Sequence, residues 1–135
     1  MKTKNPAAAT VEVTEANFDS IVGPDATGIV LLDFWAGWCG PCRMFAPVFE
    51  AAAKRNPDIV FGKVDTEAEP VLAASFQVQA IPTLAVLRDG ILLTASPGAL
   101  PASALDELIR KVRALDMDEI RAKIAKQAAK AEARQ

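Results

Sequence analysis

At 135 residues the chain suits one domain, and a domain of that size buries roughly two-thirds of the surface its unfolded chain exposes. It is 51% hydrophobic with a net charge of −2, which excludes a disordered chain and gives no basic excess for nucleic acid or acidic membranes; no apolar run approaches the ~20 residues of a membrane span. Histidine and tyrosine are absent, so Ser-His-Asp and Cys-His catalysis and histidine-ligated zinc or haem are excluded.

Residues 1–10 read as a flexible polar and alanine-rich lead. It has two lysines but no apolar stretch behind them and no arginines, so neither a secretory signal nor a transit peptide is expected. Val11-Glu12-Val13 alternates like a short edge strand. Ala16–Val22 reads as a short helix stopped by Gly23-Pro24. Ile29–Trp35 is apolar throughout except for Asp33, the pattern of a central strand covered on both faces. A helix is predicted from Pro41, with Met44, Phe45, Val48, Phe49 and Ala52 on one face and Pro47 inside it.

Ile59–Asp65 reads as a second inner strand, and residues 68–76 as a short helix carrying Val71, Leu72 and Phe76. Ile81-Pro82-Thr83 opens a strand over 84–87, Arg88-Asp89-Gly90 turns it, and 91–94 returns as its hairpin partner. Leu105, Leu108, Ile109 and Val112 mark an amphipathic helix from near Pro101. Beyond it, Asp116 and Glu119 fit a helix start, and Met117, Ile120, Ile124 and Ala128 recur about every four residues. The order β-α-β-α-β-α-β-β-α predicts an α/β fold: one mixed sheet with helices on both faces and an extra C-terminal helix. The expected organisation is a lead over 1–10, a domain over 11–115 and a helical extension over 116–135.

The chain has two cysteines, Cys39 and Cys42. A bond between them would close too small a ring to act as a staple. They fall where a buried strand gives way to a helix, and backbone N–H groups with the positive end of the helix dipole favour a thiolate at Cys39. Cys42, one turn inside, is expected to be more shielded. That asymmetry suits a two-step exchange in which Cys39 attacks a substrate disulfide and Cys42 then resolves the mixed disulfide. Two inert buried cysteines, or half of a zinc site shared by a dimer, are the competing readings; a complete zinc site would need two more ligands.

Trp38-Cys39-Gly40-Pro41-Cys42, preceded by Asp33-Phe34-Trp35-Ala36, resembles the active site of the thioredoxin family. The resemblance runs over roughly residues 11–113 and includes Pro47 and Ile81-Pro82-Thr83. It implies a thioredoxin fold and redox work by a Cys39–Cys42 disulfide, with no bound cofactor and no metal. It also implies that Asp33 exchanges a proton with Cys42, its own pKa raised by burial, and that Lys63 approaches Asp33. Read without the resemblance, these are a strand-end aspartate facing solvent and an ordinary edge lysine.

By the same resemblance Pro82 is cis, and Trp38, Gly40, Pro41, Ile81, Pro82 and Gly98 form the substrate-binding surface around Cys39, with Trp35 packed beneath. Gln77 and Ala80 depart from the family, which often has glycines there; so do Pro97 and Gly37. The function expected is protein-disulfide reduction in the cytoplasm, where thiols stay reduced. The expected partners are a thioredoxin reductase as electron donor and disulfide-containing proteins as recipients, with the chain a monomer. A disulfide isomerase or oxidase, or a binding module built on the same fold, remains open at this point.

Overall fold

The computed structural model describes residues 9–23 and 25–134. The expected lead therefore lies outside the described residues up to residue 8, as does Pro24 of the Gly23-Pro24 stop. Ala9 and Thr10, the last two residues of that lead, hydrogen-bond to the Glu50 carboxylate through a backbone N–H (3.0 Å) and a hydroxyl (3.1 Å).

Among the described residues the elements run β1 (Val11–Glu12), α1 (Phe18–Val22), β2 (Ile29–Trp35), α2 (Gly40–Arg55), β3 (Val60–Asp65), α3 (Pro70–Ser75), β4 (Thr83–Arg88), β5 (Ile91–Pro97), α4 (Ala102–Arg113) and α5 (Met117–Ala133). The sheet order is β1-β3-β2-β4-β5. β1 and β2 each pair parallel to β3, while β4 runs antiparallel to β2 and β5 antiparallel to β4. β2 is therefore central, as its unbroken apolar run predicts. Its side chains alternate: Ile29 and Leu31 join Phe45, Phe49, Phe61 and Leu105 on the face covered by α2 and α4. Val30, Leu32 and Phe34 join Val22 and Leu72 on the other face, beneath α1 and α3.

The sequence pattern misplaces one side chain of α2. Met44 is exposed, and the buried arc runs through Cys42, Phe45, Phe49, Ala52 and Ala53. At 3.6 residues per turn Met44 lies about 100° around the helix from Phe45 and faces solvent. Pro47 lies inside α2 as expected. Gly62 in β3 is a point of close approach: a Cβ there would meet Val13 Cγ2 at 2.6 Å and Leu32 Cδ2 at 2.8 Å, so no larger residue fits without displacing the core.

Beyond the hairpin, Arg88 ends β4 and donates to the carbonyls of Val112 (2.8 Å) and Leu115 (3.2 Å), tying the strand to the chain at and just past the end of α4. Asp89 in the turn accepts from the Gly28 N–H (2.9 Å) and pairs with Arg121 of α5 (3.1 Å). Asp116 caps α5, accepting from the N–H groups of Asp118 and Glu119. Of α5, Met117 is buried and Ile124 exposed.

Gln77 has φ 56°, in the left-handed region that costs a side chain with a Cβ about 1–2 kcal/mol. It is one of the positions where the chain departs from glycine. Gln77→Gly is expected to raise stability by about 1 kcal/mol, net of the extra freedom glycine gives the unfolded chain. A urea midpoint that moves up at unchanged m-value is the expected signature; an unmoved or lowered midpoint would contradict it.

Candidate active site

The site forms where β2 ends and α2 begins. Thr66, just past the end of β3, holds the strand end in place: its N–H (2.9 Å) and hydroxyl (3.0 Å) both donate to the Trp35 carbonyl. From Trp35 the chain turns through Ala36-Gly37-Trp38 to Cys39, whose N–H donates to the Ala36 carbonyl (3.2 Å). Arg43 fastens the same turn, its guanidinium donating to the Gly37 carbonyl at 2.8 Å. Neither Thr66 nor Arg43 stands out in the sequence. Their roles depend on backbone carbonyls, which leave no residue pattern, although a cation directly after the second cysteine was visible.

Cys39 is the N-cap of α2, with extended backbone (φ −89°, ψ 112°), and its sulfur accepts from the Cys42 N–H at 3.2 Å. A sulfur in that position meets a backbone donor and the positive end of a 16-residue helix, both of which favour negative charge on it. Pro41 occupies the first turn, where a missing N–H costs nothing. Cys39 and Cys42 are joined in a disulfide, with Cα atoms 5.2 Å apart. The expected difference in shielding is not seen in this oxidised form, where Cys39 and Cys42 are 4% and 3% exposed. The two sulfurs differ instead in position: Cys39 caps the helix 3.7 Å from the Ile81 carbonyl, and Cys42 lies in the first turn.

The Ile81–Pro82 bond is cis. Gly98 has φ 111°, a backbone shape that favours glycine, and its N–H donates to the Pro82 carbonyl at 2.8 Å. A Cβ at Gly98, Gly40 or Gly37 would meet nothing within 4 Å, so the surface is low at all three. Trp38 is 68% exposed. Trp35 and Ile81 pack against the small buried cluster of Ala36, Cys39 and Cys42. Residues from three separate loops are thus brought to one end of the sheet, with a large indole left in solvent beside a reactive pair.

Behind this surface, Asp33 is fully buried, which rules out an aspartate facing solvent. It follows Ile29 and Leu31 on the face covered by α2, in register with Lys63 of β3 and Leu84 of β4. Neither carboxyl oxygen has a hydrogen-bond partner among the described residues, and nor does the Trp35 indole nitrogen. Burial pushes the Asp33 pKa up to about 6, and the Lys63 ammonium opposes part of that rise. Lys63 also lies over the Trp35 ring, 5.1 Å from its centroid, on a strand flanked by β1 and β2 rather than at an open edge.

Among the described residues no group of three or more histidine, cysteine or carboxylate side chains could hold a metal ion, and no helix is long and apolar enough to cross a membrane. A family profile described as Thioredoxin matches residues 9–111. The chain is similar to "Putative thioredoxin 2" of Streptomyces coelicolor, 54% identical over 123 residues, which cover 91% of this chain and 90% of that protein. It is similar also to "Thioredoxin" of Staphylococcus aureus, 43% identical over 106 residues, or 76% of this chain and 97% of that one. With the fold, the helix-capping cysteine pair and these relatives in agreement, the chain belongs to the thioredoxin family and is a thiol-disulfide oxidoreductase whose redox centre is the Cys39–Cys42 disulfide.

Proposed function

We propose that the chain reduces protein disulfides, with Cys39 as nucleophile and Cys42 as resolving thiol. The Cys39 thiolate attacks one sulfur of a substrate disulfide. That S–S bond breaks, the leaving sulfur takes up a proton, and a mixed disulfide forms on Cys39. Cys42 gives its proton to the Asp33 carboxylate and attacks the Cys39 sulfur, which expels the second substrate thiol and closes the Cys39–Cys42 bond. Two electrons pass to the substrate, and a thioredoxin reductase restores the dithiol.

The observation that carries this reading is Cys39 at the helix N-cap, its sulfur held by the Cys42 N–H. The buried Asp33, with its raised pKa, supports a proton acceptor that gives its proton back near neutral pH. Lys63 limits how far that pKa rises and so acts as a positioning charge. In this reading Trp38, Gly40, Pro41, Ile81, Pro82 and Gly98 receive the substrate chain, whose backbone pairs with the Ile81 segment, and Trp35 supports the pair from beneath.

The catalytic unit spans 11–115 and acts as a monomer, with 116–135 a helical extension outside the chemistry. The working compartment is the cytoplasm, whose reducing poise keeps the dithiol charged. Catalytic reduction of an interchain protein disulfide, with dithiothreitol as electron source, tests the assignment. The expected result is cleavage well above the rate of dithiothreitol alone; equality of the two rates would overturn it.

A further inference from the structure

Past Gly98 the surface does not close. An open cleft of about 370 Å3 lies between the outer strands of the sheet and α4. Leu84 and Val86 of β4 line it from the sheet, Leu100 and Leu108 from the α4 side, and Pro97 and Gly98 from the end that meets the proposed substrate groove. The cause is legible in the strand register: Val86 pairs with Thr94 and Leu84 with Ser96, which places two small hydroxyl residues of β5 beside the cleft. Ala104 is equally small on the helix side. A leucine or phenylalanine at any of these three positions would occupy much of the space.

We infer that this cleft is a second specificity site, receiving an aliphatic or aromatic side chain of the protein substrate a few residues from its disulfide. The inference rests on reading Cys39 through Gly98 as the substrate groove, and names what that groove selects. Continuity supports it. Cys39 Sγ lies 3.7 Å from the Ile81 carbonyl, and the next carbonyl, Pro82, accepts from the Gly98 N–H at 2.8 Å. A chain held at the sulfur and running past Gly98 therefore arrives at the cleft. The lining also matches a peptide better than a small ionic ligand. It is mainly apolar, and its polar atoms include the Thr94 and Ser96 hydroxyls, hydrogen-bonded to each other at 3.2 Å, which leaves one hydroxyl hydrogen and the spare lone pairs for a passing backbone. Its charged residues, Glu107 and Lys111, are exposed, so no buried charge fixes an ion inside. The volume falls at the small end of ligand sites, enough for one large apolar side chain.

The test uses pairs of cystine peptides that differ only in leucine or serine at one position, stepped outward from the disulfide. At one such position the protein is expected to favour the leucine peptide by about tenfold in kcat/KM, the discrimination a single apolar contact gives. Ala104→Phe, filling the cleft from α4, is expected to bring that preference to within about twofold while the serine peptide is reduced as before. Ser96→Leu fills it from the strand and is expected to do the same, so a folding defect in one variant does not decide the matter. Absence of any leucine preference, or a preference that survives both substitutions, overturns the inference. Failure of the unsubstituted protein on both members of every pair overturns the groove reading itself, and this one with it.

Discussion

Replacing Cys42 with serine is expected to reduce turnover to background while leaving the first step intact. The one other thiol in the sequence is Cys42, one helical turn on, whose N–H already reaches the Cys39 sulfur at 3.2 Å. A serine hydroxyl cannot displace a thiol there, because it ionises far less readily than the thiolate the exchange requires. The variant should therefore accumulate a covalent adduct with its substrate, approaching about one per chain and released by dithiothreitol. Cys39→Ser should form no adduct and show no turnover. Mass spectrometry of the two variants after mixing with a disulfide substrate reads the difference. Continued turnover by Cys42→Ser, or an adduct on Cys39→Ser, would contradict the assigned order of attack.

Asp33→Asn carries the largest expected effect on stability. The Asp33 pKa is about 6 in the folded chain against an ordinary 3.8, so the native state binds its proton more tightly than the unfolded state. The stability this proton contributes is fully present below about pH 4 and is lost as the pH rises through about 6. Above that, the buried carboxylate costs roughly 3 kcal/mol, from about two pKa units at 1.36 kcal/mol each. Removing the charge is expected to stabilise the oxidised protein by about 2–3 kcal/mol at pH 7.5 and by almost nothing near pH 4. Urea denaturation at the two pH values checks this, and an equal gain at both would show that ionisation of Asp33 is not the cause. The same substitution should slow release of the mixed disulfide near pH 7, since Cys42 loses its proton acceptor. With Asp33 as the proposed proton acceptor, stability and function are opposed at this residue, as is common where a site requires a buried charge.

Much of this was readable in advance because the strongest signals are local. The run Ile29–Trp35 matches the observed strand at both ends, since a strand covered on two faces leaves little room for polar residues. Asp33 was conspicuous for that reason. The hairpin was equally legible: Asp89 and Gly90, with φ 54° and 78°, are residues that accept the left-handed backbone a two-residue turn requires. What the sequence concealed depends on the third dimension. Met44 fits a list of apolar residues in α2 but points away from the core once the helix is wound. Gly62 carries no pattern of its own; only the approach of Val13 and Leu32 shows why a side chain is excluded. Asn17 looks like a surface residue in sequence, yet it is buried, donating to the Glu12 carbonyl and accepting from the Thr14 N–H to shape the turn after β1. The cleft beside α4 likewise follows from the pairing of Thr94 and Ser96 with Val86 and Leu84, which no single strand discloses.

The reduction potential of the Cys39–Cys42 pair decides whether it stores reducing power. The residues between the cysteines are glycine and proline, with no cation to stabilise the reduced thiolate further and so make the pair more oxidising. Titration against glutathione can be followed by tryptophan fluorescence, because Trp35 packs against the pair and Trp38 adjoins it. The expected potential is more reducing than about −260 mV, the lower edge of the cytosolic glutathione poise obtained by extraction. A potential near or above about −200 mV would place the pair among isomerases and oxidases and rule out its role as a reductant.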